Sequence, residues 1–436
     1  MMVRRLGWLL LALFCTIKLT HYARAAIPRS VTGLSHPASE LKLNSKIIRV
    51  RLSDLGAQLQ IKGDGLSASL AMKPELGTVD SDEWEVDCKK SRIIHPLTGK
   101  SRMIPRSGIL IESVAGVLSV NGRKFRDQVV VYPKELLSPY DASIRSNTQC
   151  LVVNHIGVEK YLESVVNGEF NSKWAEPAVE AQIIAARTYA YFQMKEMRRD
   201  RGRVFDVEST QKDQVYLGHD VTDSRASQLV TKTKGMILSD PVSTVKNCPI
   251  KAFYHASCGG GTFLPKQIWG GNYGGFKKVS CPYCAGSPSF EWTHSMSFHE
   301  VEKRIHKGLS VDQASHKYWP KEYIRHPDHW ILSNIRIQQD AERVSEMVFE
   351  FASVQGGAPL MVGMNAYQVR NWLNPAQLKS TRFQLEIKGR LAVFRGKGSG
   401  HGVGLCQWGA KRMGEQGFTR EQILTHYYPG FKLVKI

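Results

Sequence analysis

The sequence has few acidic residues and almost no long apolar stretch. It holds 39 Asp and Glu against 59 Lys and Arg, which gives a formal net charge of +20. The strongest apolar run covers residues 6–17, and no later stretch is long and apolar enough to span a bilayer. Low-complexity tracts and internal repeats are lacking, and 42% of the residues are hydrophobic, which excludes a largely disordered chain. A chain of 436 residues can form two or three domains with their own cores.

The first 25 residues have the pattern of an export signal. Two arginines precede the apolar run, and Ala23-Arg24-Ala25 offers small residues at the cleavage positions. We therefore predict a signal peptide over residues 1–25 and a protein in the periplasm or on the outer side of the cytoplasmic membrane. The alternative is an uncleaved anchor, and membrane association is expected only in that case.

The positive charge is scattered along the chain, with its densest cluster at residues 198–203. Basic proteins favour polyanions such as nucleic acid, anionic lipid or an acidic wall polymer. Predicted export argues against nucleic acid, so no nucleic-acid partner is expected. The basic side chains either form a solvated surface or steer the protein toward an acidic polymer.

Cysteine is scarce, and its count becomes odd once the signal is removed. The chain has eight cysteines, and loss of Cys15 leaves an odd number, so complete pairing within one chain is impossible. The pair Cys281 and Cys284, with His255 and Cys258 upstream, predicts a closed structural zinc site with four ligands. A disulfide and free thiols are the alternatives, because export permits oxidation.

Apolar periodicity predicts an α+β fold. Short alternating segments separated by turns indicate a β-rich region up to about residue 145. Residues 177–199 have helical spacing, with Pro177 in the first turn, and predict one long helix. The strands are expected at 47–52, 59–62 and 129–132, with further β pairs at 330–351 and 382–394.

Glu169 is a candidate for acid chemistry. It stands between the apolar pair Val165-Val166 and Phe170, just before the predicted helix. Apolar surroundings raise the pKa of a carboxyl group, because desolvation penalises its charged form. A glycosidic general acid needs such a raised pKa near neutral pH. Taken alone, a solvated loop carboxylate is the simpler interpretation.

Polar residues on the helix and in a glycine-rich loop are candidates for binding. Arg187 lies in an apolar stretch and is either a structural ion pair or part of a cleft, and Gln182 has the same ambiguity. The glycines of 396–410 fit neither a dinucleotide fingerprint nor a P-loop. That loop either packs against the core or presents side chains to a sugar ring, namely His401, Gln407 and Trp408.

Together these segments resemble the stage II sporulation protein D / LytB family. The resemblance runs in order over residues 150–436 through YLESVVNGEF, AQIIAARTYA, QVYLG, HASCGGGT, GSPSFEWT and SGHGVGLCQWGAKRMGEQGFTREQILTHYYPG. The sequence departs from residues that are frequent in the family at Asn167, Ser399 and Cys406. In relatives the first is often Pro or Ser, the second aromatic and the third Ser.

The resemblance implies a lytic transglycosylase that cleaves the bond between N-acetylmuramic acid and N-acetylglucosamine in peptidoglycan, with Glu169 as its acid. One carboxylate is enough, because the muramyl 6-hydroxyl attacks its own anomeric carbon; Asp206 or Glu163 could assist. No cofactor is needed for this chemistry. The implied substrate is glycan stripped of stem peptides by an N-acetylmuramyl-L-alanine amidase. Substrate contacts are expected from Gln182, Arg187, Tyr189, Gln214, Tyr216, Ser257, His401, Gln407 and Trp408.

Two other functions compete with this one. A non-catalytic module that binds peptidoglycan and modulates an amidase is the first, and a zinc-dependent amidase is the second. For the fold we expect a β-rich N-terminal region followed by a β-rich catalytic core with the long helix beside the active cleft. The expected order is signal peptide 1–25, linker 26–44, N-terminal region 45–149 and core 150–436, whose Cys/His-bearing segment covers 255–292.

Overall fold

A computed structural model describes residues 46–53, 55–70, 79–95, 97–133, 150–200, 202–271 and 273–436. The predicted signal peptide and linker lie outside the described residues. Within them, helices and strands are mixed and the N-terminal part is rich in strands, which confirms the predicted α+β class.

The strands and helices are numbered in chain order. The strands are β1 Ile47–Arg51, β2 Gln58–Leu70, β3 Val79–Asp87, β4 Arg92–Ile94, β5 Ser101–Met103, β6 Ile109–Val120, β7 Arg123–Pro133, β8 Cys150–Gly157, β9 Val207–Glu208, β10 Met236–Ser239, β11 Tyr254–His255, β12 Glu291–Ser297, β13 Trp330–Asp340, β14 Arg343–Ser353, β15 Leu360–Asn365, β16 Phe383–Lys388, β17 Leu391–Lys397, β18 Leu405–Cys406 and β19 Lys432–Lys435. The helices are α1 Val158–Glu169, α2 Glu176–Met197, α3 Ser224–Lys232, α4 Pro265–Trp269, α5 Phe298–Val311, α6 Lys321–Arg325, α7 Ala366–Leu373, α8 Gln407–Glu415 and α9 Arg420–Tyr427. None of these helices combines the length and the apolar character needed to traverse a bilayer.

A nine-stranded sheet joins the predicted N-terminal region to the predicted core. Its order is β5-β4-β3-β2-β6-β7-β8-β1-β9, so β8 and β9 pair with strands from the first part of the chain. β8 lies antiparallel between β7 and β1, and its residues Val152 and Val153 are buried. The domain boundary predicted at residue 149 therefore lies between strands of one sheet, and it stays a prediction.

Helix α2 is the centre of the helical layer. It covers nearly all of the predicted range 177–199, and Pro177 lies in its first turn, where a missing N–H costs no hydrogen bond. Buried residues surround the helix, which is typical of a helix enclosed by other elements rather than lying on a surface. Its neighbours are α1, α3, α8, α9 and β10.

A second compact unit is inserted into this first one. It consists of residues 265–271 and Pro288–His401, while 46–264, 273–287 and 402–436 form the first unit. Its sheets have the orders β12-β17-β16 and β13-β14-β15, and the apolar face of α5 packs into a core that both sheets supply. The β pairs predicted at 330–351 and 382–394 are confirmed as β13–β14 and β16–β17.

Candidate functional site

Glu169 is the last residue of α1, in the first unit. The helix buries Tyr161, Leu162 and Val165 and ends where Phe170 turns into extended backbone. The backbone N–H of Val215 donates to Oε1 of Glu169 at 2.6 Å. Burial raises the pKa of Glu169, and the hydrogen bond from Val215 acts in the opposite direction but is the smaller effect. The carboxyl group of Glu169 therefore keeps its proton to a higher pH than an exposed glutamate does.

The glycine before Glu169 lets the Val215 loop approach the helix. A Cβ atom at Gly168 would lie 2.3 Å from the carbonyl oxygen of Val215, closer than any real contact. Because glycine has no Cβ, the loop comes near enough for its N–H to reach the carboxylate. Gly168 thus contributes to the position of Glu169 without touching it through a side chain.

Two further contacts hold the end of α1 in place. Gln407, the first residue of α8, donates from Nε2 to the backbone oxygen of Glu169 at 3.0 Å. Asn167 donates from Nδ2 to the carbonyl of Val221 at 2.9 Å and to Asp223 at 2.7 Å. Asp223 is also the N-cap of α3. The acid therefore stands on a helix end that two other helices fix.

A chain of hydrogen bonds lies beside Glu169. Tyr161 donates to Oε1 of Gln214 at 2.9 Å, and Nε2 of Gln214 donates to the hydroxyl oxygen of Tyr254 at 2.9 Å. Burial and then the charge of Glu169 raise the pKa of Tyr254 well above its usual value, so the phenol keeps its proton near the acid. The sequence analysis missed Tyr254, because a tyrosine in a two-residue strand has no distinguishing signal.

Aromatic side chains continue from Glu169 along the surface. The ring of Phe170 lies 4.5 Å from that of Trp174, and Trp174 lies 5.3 Å from Trp408. The ammonium group of Lys411 is 5.4 Å and 5.3 Å from the centres of the two indole rings. Both tryptophans are half-buried. We call Phe170, Trp174, Trp408 and Lys411 the aromatic shelf; half-buried indole faces of this kind suit stacking against a sugar ring.

Four cysteines converge in the interior of the same unit. The sulfur atoms of Cys258, Cys281, Cys284 and Cys406 all lie within 4.8 Å of one another, and all four residues are buried. None of them forms a disulfide, whereas Cys88, elsewhere in the unit, does. Four buried thiols at this separation match the donor set of a tetrahedral structural zinc site.

Groups around the cysteine cluster orient the sulfur atoms. The backbone N–H groups of Cys258 and Gly409 point at Sγ of Cys406 at 3.3 and 3.4 Å, and the hydroxyl of Tyr427 lies 3.1 Å from Sγ of Cys281. A Cβ at Gly409 would lie 2.8 Å from Sγ of Cys281, so only glycine fits against the cluster. Donors aimed at ligand atoms are typical of the outer shell of metal sites.

Comparison with known proteins identifies the family. The SpoIID family profile, described as stage II sporulation protein, matches residues 146–239, which include Glu169, α1 and α2. The stage II sporulation protein D of Bacillus amyloliquefaciens is 27% identical over 290 residues, which cover 64% of this chain and 74% of that protein. This chain contains a SpoIID-family domain.

Two other relatives differ in how much of their length is shared. An uncharacterized protein of Brachyspira hyodysenteriae is 27% identical to this chain over 411 residues, which cover 90% of this chain and 94% of that protein. The amidase enhancer of Bacillus subtilis is 25% identical over 308 residues, which cover 62% of this chain and 40% of that protein.

The structure corrects the ligand set that the sequence predicted for this SpoIID-family protein. Cys258, Cys281 and Cys284 do come together, but His255 is not in the cluster. Its Nδ1 lies 3.0 Å from the carbonyl oxygen of Val403. The fourth position belongs to Cys406, one of the departures from the family pattern. Cys406 pairs with His255 across β11 and β18, which brings it to the cluster from a distant part of the sequence.

Four residues predicted to bind substrate are buried and make polar contacts inside the protein. Arg187 is fully buried and forms a bidentate ion pair with Glu159, through Nε at 3.0 Å and Nη2 at 2.7 Å, so the structural alternative is the one observed. The other three are also buried, and their polar groups form hydrogen bonds inside the protein: Tyr189 with Asp213, Gln214 with Tyr161 and Tyr254, and Tyr216 with Asn154. The predicted role of Arg187, Tyr189, Gln214 and Tyr216 in substrate binding stays a prediction, and these contacts do not favour it.

The carboxylates that could assist Glu169 are engaged elsewhere. Asp206 is buried and forms ion pairs with Arg49 at 2.7 Å and Arg198 at 2.8 Å. Glu163 forms an ion pair with Arg126 at 2.6 Å. Each carboxylate is compensated by a cation, so neither resembles a free second acid.

Gln182, Ser257 and His401 keep their predicted roles as hypotheses. Gln182 is buried on α2, on the face it shares with Ala186, and both of its amide atoms lack a hydrogen-bond partner among the described residues. The buried hydroxyl of Ser257 lacks one there as well. His401 closes the inserted unit, where its ring lies 4.9 Å from that of Trp269.

Proposed function

We propose that this SpoIID-family protein is an exported lytic transglycosylase that cuts the glycan strands of peptidoglycan, with Glu169 as its acid. The supporting observation is the state of that carboxyl group. It is half-buried, it accepts one backbone hydrogen bond, and its pKa is raised because desolvation outweighs that bond. A carboxyl group of this kind stays protonated closer to neutral pH and can donate its proton to a leaving oxygen.

One carboxyl group accounts for both proton transfers. Protonated Glu169 gives its proton to the oxygen that bridges N-acetylmuramic acid and N-acetylglucosamine, and the bond from that oxygen to the muramyl anomeric carbon breaks. The 6-hydroxyl oxygen of the same muramic acid then bonds to the anomeric carbon, and its proton passes to the Glu169 carboxylate. The products are a 1,6-anhydromuramyl end and a new N-acetylglucosamine end, with no water consumed and the acid restored.

The aromatic shelf is the proposed seat for sugar rings next to the acid. Trp174 and Trp408 offer half-buried ring faces, and Trp174 contacts Phe170, the residue that follows Glu169. Lys411 brings a positive charge to the same surface. A strand stripped of stem peptides carries a free lactyl carboxylate on each muramic acid, so a cation over the sugar site favours the stripped strand that the family resemblance implies.

We further propose that the four-cysteine cluster holds a structural zinc ion. Cys258, Cys281, Cys284 and Cys406 would bind it as thiolates, and the N–H groups of Cys258 and Gly409 would stabilise the sulfur charge. Four thiolates complete a tetrahedral shell, so the ion would contribute folding stability rather than act on substrate. This argues against the alternative of a zinc-dependent amidase.

A second candidate function is a non-catalytic module that binds glycan and modulates an N-acetylmuramyl-L-alanine amidase. The observation that favours it is the similarity to the amidase enhancer of Bacillus subtilis. In that case the aromatic shelf would bind glycan and Glu169 would have no chemical role.

The test uses purified protein with intact sacculi and with strands from which an amidase has removed the stem peptides. Mass spectrometry measures 1,6-anhydromuramyl ends, and Glu169→Gln keeps the shape and the Val215 hydrogen bond while removing the acid. We expect anhydro ends from stripped strands, lost in the variant.

The other outcomes decide between the alternatives. Reducing muramyl ends would mean hydrolysis by an activated water and would require a second carboxylate. Binding of stripped strands without cleavage, combined with acceleration of an added amidase, would replace the transglycosylase with the regulatory module.

A further inference from the structure

The hairpin formed by β4 and β5 lies in a strongly basic segment of the chain. Between Cys88 and Ile111 the sequence has six Lys or Arg residues and no Asp or Glu. β5 is the terminal strand of the sheet, and all three of its residues are exposed. The cations of this segment are Lys89, Lys90, Arg92, Lys100, Arg102 and Arg106.

Most of these charges are not neutralised within the protein. Lys90 lies 3.6 Å from Asp87, and Arg92 donates to the side chain and backbone of Ser101. The remaining four cations have no ion-pair partner among the described residues and are exposed: Lys89, Lys100, Arg102 and Arg106. These four side chains therefore present positive charge to the solvent.

Apolar side chains project from the same hairpin. Leu97, at the turn between the strands, is 88% exposed, and Met103 on β5 is 55% exposed. Two backbone hydrogen bonds close the turn: the N–H of His95 donates to the carbonyl of Lys100 at 2.9 Å, and the N–H of Gly99, with a φ of 65°, donates to the carbonyl of His95 at 2.9 Å. Such a turn holds Leu97 out from the sheet rather than letting it fold back.

The register of the hairpin places charge and apolar surface side by side. Arg92 pairs with Met103 across the two strands, so the two side chains share one face. Lys100 and Arg102 also line a cavity of about 330 Å³ whose walls include the apolar residues Trp84 and Ile109. A cavity that combines apolar walls with two cations suits an anionic amphiphile.

We propose that the β4–β5 hairpin docks this protein on an anionic phospholipid bilayer. Leu97 and Met103 would enter the boundary between head groups and acyl chains, while the surrounding Lys and Arg contact lipid phosphates. Exposed apolar side chains close to several cations are typical of proteins that contact a membrane interface. The surface belongs to the folded protein, so it acts without the N-terminal apolar run.

The test uses the chain from residue 26 onward, the predicted exported form, which keeps every described residue. Sedimentation with vesicles measures the bound fraction on phosphatidylcholine alone and on a mixture with phosphatidylglycerol. We expect binding to the anionic vesicles only, weakened by added salt because screening shortens the reach of the charges.

Three double variants separate the contributions. Lys100→Glu with Arg102→Glu reverses two charges of the hairpin and is expected to weaken binding at least about 20-fold, since each cation near an anionic surface contributes about fivefold. Leu97→Ser with Met103→Ser leaves the charge unchanged and is expected to weaken binding as well. Lys277→Glu with Lys278→Glu reverses two exposed charges elsewhere in the same unit and is expected to have little effect.

Several results would overturn the proposal. Equal weakening by the Lys277/Lys278 control would mean that the overall positive charge, not the hairpin, attracts the vesicles. An unchanged affinity of the Leu97/Met103 variant would remove the apolar contact. Absence of vesicle binding together with retention on a purified anionic wall polymer would assign the cations to that polymer, and absence of both would leave them as protection of an exposed sheet edge.

Discussion

Asp206 and Glu169 are two carboxyl groups of one unit, the first fully buried and the second half-buried, and their surroundings are opposite. Asp206 is fully buried but is met by Arg49 and Arg198, each within 2.8 Å. Glu169 accepts one backbone N–H and has no cation partner among the described residues. Burial costs free energy in both places, and in the first the cations offset it. At Glu169 no cation offsets this cost, so the pKa of its carboxyl group is raised and the group can act as a proton donor.

Arg187 extends the comparison to the opposite charge. Its guanidinium is fully buried, and Glu159, Thr233 and the carbonyls of Val230 and Met236 accept its N–H groups. No donor is left to contact a substrate. A buried charge with a complete set of partners supports the fold, whereas a buried charge with an incomplete set is a candidate for chemistry.

The largest expected effect separates Glu169 from Asp206. Glu169→Gln should lower glycan cleavage by about 10³-fold, because the general acid is lost, with no loss of folding stability. Asp206→Asn should instead destabilise the fold by about 3 kcal/mol, since two arginines lose their charge partner. Denaturant titration and cleavage per folded molecule measure the two effects. Equal loss of activity per folded molecule in both variants would contradict the assignment of a chemical role to Glu169 and a structural role to Asp206.

The cysteine cluster offers the next largest effect. Cys406→Ser should remove stoichiometric zinc and destabilise the protein by about 3 kcal/mol, because a ligand is lost from a closed shell. His255→Ala should keep the zinc, since His255 is outside the cluster. Metal content by mass spectrometry and thermal melting with and without a chelator give the answer. Zinc loss in the His255 variant alone would restore the ligand set predicted from sequence.

Gly168 tests whether the Val215 contact positions the acid. Gly168→Ala places a Cβ against the Val215 carbonyl and should displace the loop, with a loss of up to about 10²-fold in cleavage rate. Gly274→Ala is the matched control, because a Cβ there meets no atom within 4 Å. The test of positioning is the pH profile: the variant should shift the midpoint of the activity decline. A uniform loss at every pH would indicate general misfolding instead.

The smallest expected effect is on stability against pH. The pKa of Glu169 is raised by folding, so the folded state binds this proton more tightly than the unfolded chain. Its stabilising contribution is complete below the unfolded pKa and is lost as pH rises through the folded pKa. The Glu169→Gln variant should therefore gain stability relative to the wild type over that window, measured by denaturant titration.

Cleavage by the wild type should decline across the same window, because the acid form disappears. The two curves should share one midpoint. Different midpoints would mean that another group controls the rate.

The sequence predicted the elements better than it predicted their partners. Helix α2 and the pairs β13–β14 and β16–β17 follow from local periodicity, so they were within reach of a pattern analysis. Glu169 was found because apolar neighbours and the family motif both pointed to it. The roles of Tyr189, Gln214 and Tyr216 depend on which side of the site each faces, and spacing along the chain does not contain that information.

Long-range contacts account for the remaining errors. Cys406 is far from Cys284 in sequence, so the C-x-x-C pair drew attention to the nearer His255 instead. Tyr254 and Trp174 owe their places beside Glu169 to pairing and packing with distant segments, and neither stands in a recognisable pattern. The pairing of β7 with β8 across the predicted boundary at residue 149 could not be predicted from local periodicity either.

The cysteine cluster also has a consequence for how the chain tolerates its insertion. Cys258 lies just before the first inserted stretch, Cys281 and Cys284 lie between the two, and Cys406 follows the second. Closing a loop as long as the one between Cys284 and Cys406 costs roughly 4 kcal/mol of chain entropy. A metal ion bound by Cys284 and Cys406 would hold the two ends of that loop together. The inserted unit could then change in length or sequence over evolutionary time while the first unit, which carries Glu169, keeps its structure.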